Sequence, residues 1–169
     1  MSKYSIPRMT INDLKPSVKE AVKKNIAKIP MVGLAKTHLS TKLKAIENEI
    51  SESRSMLALP HSWDDEGALT ISENTWNTAA SFLIKYSKWI ATHRVAVLSS
   101  PTISPVADGT IDILWHTKKA RLLINVKNNE RSEIHYYGDK YQFGEFKGNL
   151  IFNGKVEEFF ACWLLNLCD

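Results

Sequence analysis

The chain has 169 residues, 44% hydrophobic, 24% charged and 9% aromatic, with a formal charge of +4. That balance excludes disordered, collagen-like and low-complexity chains, and no run approaches the ~18 uncharged apolar residues of a membrane helix. The charge is uneven: residues 1–58 carry eleven basic and five acidic residues, and residues 59–169 carry eleven basic and thirteen acidic ones. A local basic field acts on local partners, so the chain divides provisionally into a basic helical segment, residues 1–58, and an α+β domain, residues 59–169.

The first segment reads as a helical pair. Val18, Val22, Ile26 and Ile29 recur at helical spacing after Pro16-Ser17, and Pro30 ends the run. A second helix is predicted over 36–57, where Leu39, Leu43, Ile46, Ile50 and Leu57 follow a 3.5-residue period with Ser53 in the remaining slot. Such a seam packs either on the chain's own helices or on another subunit, and in the second case it forms a homo-oligomer. Lys19, Lys23, Lys24, Lys28, Lys36, Lys42 and Lys44 are the types that reach phosphates, so these helices are candidate nucleic-acid ligands; solvated helix faces are the plainer alternative.

Leu59-Pro60 opens a loop holding the only concentrated acidic patch, Trp63-Asp64-Asp65-Glu66-Gly67. Three neighbouring carboxylates could bind a divalent cation or act as acid and base in a metal-dependent hydrolase. They could also touch a partner, or simply shape a turn anchored by Trp63. Ser72 then caps a long helix to about Thr92 with Trp76, Ala79, Ala80, Leu83, Ser87 and Ile90 on one stripe.

Short alternating runs follow: 102–107, the hairpin signal Asp108-Gly109, 110–116, 121–126, 133–137, a turn at Gly138-Asp139, and 141–146. They predict an antiparallel meander of four to five strands. A C-terminal helix over 155–167, with Val156, Phe159, Phe160, Trp163, Leu164 and Leu167, should cover the sheet or meet a partner. Trp115, Tyr136, Tyr137, Tyr141, Phe143 and Phe146 could offer a base-stacking platform, and His116 and His135 could be cross-strand neighbours.

Cys162 and Cys168 lie about 9 Å apart on one helix, too far for a disulfide. No zinc-ligand spacing, nucleophile elbow, P-loop or dinucleotide-binding motif occurs. Residues 1–10 hold no signal-peptide core. The expectations are therefore a cytoplasmic protein with no metal or other cofactor, no membrane contact and no assigned catalytic residue.

Trp63-Asp64-Asp65-Glu66-Gly67-Ala68, Ile71-Ser72, Pro101 to Pro105, Asp108-Gly109 and the strand ending at Trp115 resemble a set of small bacterial proteins of uncharacterised function. Their pattern reads W-D-G-x-G-A, I-S, a long helix, P-x-x-x-P, D-G and E-W. Asp65 stands where that pattern has its first Gly, and Leu114 where an acidic residue often precedes the Trp. The resemblance covers about half the chain. It implies a place in mobile-element, toxin–antitoxin or defence neighbourhoods, where an antitoxin, immunity or anti-phage accessory acts by binding a protein encoded nearby. Independently of the resemblance, which omits the basic helices, the segregated charge, the heptad seam and the lack of a catalytic constellation make Leu39, Leu43, Ile46, Ile50, Leu57, Trp63, Asp64, Asp65 and Glu66 the candidate partner-binding residues.

Overall fold

The computed structural model describes residues 31–141 and 144–168. The predicted first helix, with Lys19, Lys23, Lys24 and Lys28, lies outside them. Two units are distinguished, Met1–Thr37 and His38–Asp169, and the core and sheet belong to the second. The fold is α+β. Helix α1 (Met31–Ser53) runs into a 3-10 turn (Arg54–Ala58); after a loop come α2 (Glu73–Arg94), five strands β1 (Thr102–Pro105), β2 (Ile111–His116), β3 (Arg121–Val126), β4 (Glu133–Lys140) and β5 (Gly144–Ile151), then α3 (Glu158–Leu164). Every strand pairs antiparallel with its sequence neighbours, in the order β1-β2-β3-β4-β5.

Helix α2 begins where its chemistry dictates. The Ser72 hydroxyl accepts from the Thr75 amide, satisfying one of the first-turn donors. Its stripe of Ala79, Phe82, Leu83, Tyr86 and Ile90 lies against the sheet side carrying Ile111, Ile113, Trp115, Leu122, Ile124, Val126 and Ile134. Burying side chains of this size contributes roughly 1.5–3 kcal/mol each. Trp115 is 1% exposed and satisfies its indole N–H on the Ser99 carbonyl, 2.9 Å away. Tyr86, equally enclosed, accepts at its hydroxyl from the Glu157 amide, and burial pushes its pKa up.

The core also crosses the charge boundary near Leu59. Ile46, Ile50 and Met56 share one cluster with α2 and the sheet, with Leu43 and Leu57 packed at its margin. Ser53, the polar slot of the seam, accepts from the Trp76 indole at 3.1 Å.

Four boundaries in the second half differ from expectation. Gly138-Asp139 is no turn: β4 runs on to Lys140, pairing Gly138 with Leu122 and Asp139 with Arg121. The glycine is needed for space, since a Cβ there would sit 2.6 Å from the Trp163 ring. Strand β5 starts correspondingly later, at Gly144. Helix α3 starts at Glu158, after a turn in which Asn153 accepts from the Lys155 amide and Gly154 has φ 83°. It ends in a 3-10 turn, Leu165–Leu167, and Cys168 beyond it bridges to Leu98, so the two cysteines do not share a helix. Both are free. No helix among the described residues is long and apolar enough to cross a membrane.

Candidate functional site

The acidic loop is built as a turn. Asp64 Oδ1 accepts from the Glu66 and Ala68 amides, both at 2.9 Å, and these bonds, led by Ala68, hold its carboxyl below the usual range. The Ser62 amide donates to the Ala68 carbonyl and the Trp63 indole to the Leu69 carbonyl, closing the loop on itself. Asp65 (φ 62°) and Gly67 (φ 98°) take the left-handed backbone this closure requires. Asp64 thus spends one oxygen on backbone while Asp65 and Glu66 remain exposed. Among the described residues no group of three or more His, Cys, Asp or Glu side chains is placed to hold a metal ion.

The other predicted site residues scatter. Lys36 and Leu39 are placed on α1 by backbone alone; Lys42 is half-buried and Lys44 exposed. Ile46 and Ile50, the centre of the seam, are 2% and 6% exposed within the chain's own core, and Leu43 and Leu57 lean on them. The aromatic platform divides between the two sides of the sheet. Trp115 is buried, while Tyr136 and Phe146 stack at 4.7 Å on the helix side, where Phe160 and Trp163 pack on them. Tyr137 faces the other way, Tyr141 just past β4 meets the ring of His116 edge-on at 6.5 Å, and Phe143 lies outside the described residues. His116 and His135 are not neighbours, since His116 pairs with Arg121 and His135 with Asn125.

What the register does assemble is the helix-free side of the sheet. One row crosses all five strands: Thr102, Leu114, Leu123, Tyr137, Lys147. Its middle is apolar, and Leu114 is 38% exposed. Polar rows flank it, Ser104-Asp112-Asn125-His135-Asn149 on one side and His116-Arg121-Asp139-Glu145 on the other. Leu123, Asn125, His135, Tyr137 and Lys147 line a shallow groove of about 380 Å³.

The polar rows are internally braced. The Asn125 amide donates to Asp112 at 2.7 Å and Thr110 at 2.8 Å, leaving its buried Oδ1 without a partner. His135 contacts Glu133 at 2.7 Å, and that hydrogen bond lowers the Glu133 pKa. Lys147 and Glu145 pair at 3.0 Å, which lowers the Glu145 carboxyl and raises the Lys147 ammonium, and Tyr137 donates to Glu145. No sequence signal marked this face, because its row exists only once the hairpin registers are set.

A second groove, of about 500 Å³, lies at the β2–β3 turn, lined by Ser99, His116, Thr117, Lys118, Lys119 and Cys168. The Lys119 ammonium donates there to the Cys168 carbonyl.

No protein-family model, no curated protein and no solved structure matches this chain.

Proposed function

We propose that the chain is a non-enzymatic binding protein that takes a protein partner on the helix-free side of its sheet. The observation that supports this is the cross-strand row Leu114–Leu123–Tyr137 with its polar borders. An apolar centre with a hydrogen-bonding rim is the anatomy of a protein–protein interface. An antiparallel sheet can leave one side merely solvated, but a solvated side needs no apolar row at its centre. The charges on this face are mixed: Asp112, Asp139 and Glu145 stand among Arg121 and Lys147, an arrangement that suits a polar protein surface better than a phosphate backbone. The buried hydrophobic side holds the strands rigid, so the face is preorganised and binding orders little of the backbone.

Together with the resemblance of residues 63–115, this supports the reading of the chain as a bacterial accessory or regulatory protein, of the antitoxin, immunity or anti-phage kind. The test is affinity capture from the native host, with and without nuclease and at two salt concentrations. The wild type is compared with Leu114→Lys/Leu123→Lys and with a control on the helical side, Lys88→Glu. A stoichiometric protein that survives nuclease, is retained by the control and is lost with the double variant is the expected result. Recovery of nucleic acid that disappears at higher salt, or a protein captured equally by all three, overturns the reading.

A further inference from the structure

The two edges of the sheet are treated differently. Strand β1 is short, ends in Pro105, and its Ile103 amide donates to Glu49 of α1, so that edge is closed. Strand β5 is eight residues long and contains no proline. The Phe152 amide donates to Ser132 of the preceding turn, so by antiparallel alternation the N–H and C=O groups of Ile151, Asn149, Lys147 and Glu145 point away from β4. Among the described residues no strand pairs with them. Beside this edge Phe159 is 78% exposed, its ring 5.9 Å from that of Phe146.

We propose that the open edge of β5 is closed by the β5 of a second copy, antiparallel about a two-fold axis at Phe146, making one continuous sheet of the two copies.

The charges select both the occupant and the register. With the axis at Phe146, Glu145 of each copy stands opposite Lys147 of the other, and both pairs exchange backbone hydrogen bonds. The pair Glu145–Lys147 already made within each strand then becomes half of an alternating square of charge. With the axis at Lys147, two ammonium groups face each other, which is unfavourable; with the axis at Gly148, Lys147 meets Asn149 and the two lysines become diagonal neighbours. The Phe146 register also sets the two Phe146 rings side by side under the Phe159 rings, covering the most exposed aromatic side chains of the described residues. A closed two-fold pair uses up both copies' open edges and so does not propagate into a filament.

Sedimentation equilibrium of the full chain, from micromolar to millimolar concentration, tests this with Glu145→Lys, Lys147→Glu and the double exchange. Both residues are exposed, and circular dichroism checks that each variant is folded. The wild type forms a reversible dimer; each single exchange places like charges opposite each other and raises the dimer Kd about tenfold or more. The double exchange restores it to within about threefold, because it rebuilds the same pairs with signs reversed. A wild type that stays monomeric at millimolar concentration, single variants that dimerise unchanged, or a double exchange no better than the singles each overturns the proposal. The outer-face reading has a separate readout, since the Leu114 and Leu123 substitutions lie away from this edge.

Discussion

Gly138→Ala probes the reason β4 does not turn at Gly138-Asp139. The added methyl would lie 2.6 Å from two atoms of the Trp163 ring and 3.2 Å from Leu122 Cδ1. Carbon atoms rest about 3.5–4.0 Å apart, so the indole must retreat by about 1 Å. It is not free to do so: its ring lies 4.8 Å from Phe146 at an interplanar angle of 12°, and Phe146 in turn stacks on Tyr136. Overpacking of this kind costs about 1–3 kcal/mol, from which the chain-entropy gain of Ala over Gly returns about 0.5–1 kcal/mol. The expected net loss is therefore about 0–2.5 kcal/mol, centred near 1, or a Tm lowered by roughly 2–4 °C at that centre. Urea denaturation followed by far-UV circular dichroism measures it. The decisive comparison repeats the substitution in a Trp163→Leu background, where the methyl meets no ring and Gly138→Ala becomes neutral or stabilising. An equal cost in both backgrounds would show that Trp163 is not the reason for the glycine.

Two further outcomes follow from the backbone and from a buttressed hairpin. Val95 caps α2 at φ 52°, in the left-handed region that suits a β-branched residue worst, and is 72% exposed; Val95→Gly should therefore stabilise by about 1 kcal/mol, while Asp65→Gly (φ 62°) gains only a few tenths because Asp tolerates that region. Thermal denaturation ranks the two, and a loss of Tm for Val95→Gly would contradict the assignment. Asp108 accepts from the Thr110 hydroxyl and amide, which, led by the hydroxyl, hold its carboxyl below its ordinary value of 3.8. A depressed folded pKa stabilises above the unfolded value and is lost as pH falls through the folded one, so wild type and Asp108→Ala should differ by under about 1 kcal/mol near neutrality and converge as the pH falls below the ordinary carboxylate range. A gap that persists in acid would assign the difference to something other than this carboxylate.

Elements with local chemistry were legible in the sequence, and those decided at a distance were not. Ser72 caps its own helix, Asp108-Gly109 turns its own hairpin, and the alternation of Leu122, Ile124 and Val126 needs only its own strand. Gly138 carries the same turn chemistry as Gly109, but its role is set by a tryptophan twenty-five residues further on. The loss of that turn also shifted the start of β5, whose glycines weaken any strand signal. The acidic patch could be read as a cluster of carboxylates but not as an Asp64-centred turn, because the hydrogen bonds that define it run to backbone amides. The outer row was the least legible of all. Leu114, Leu123, Tyr137 and Lys147 share it only because three successive hairpins bring those residues into line.

The neighbour-by-neighbour strand order also has a kinetic side. Each ladder of the sheet closes over one short connection, so its loop-closure cost is low and the meander can zip from any hairpin. The core that makes it stable is assembled from far apart: Ile46 and Ile50 come from before the sheet, and Phe160, Leu164 and Leu167 from after it. Until those flanking segments arrive, the greasy side of the strands is covered by α2 alone. Folding then turns less on pairing strands than on recruiting the segments that carry Ile46 and Phe160 to the surface α2 already lines, and the sheet stays open to wrong partners for as long as that recruitment takes.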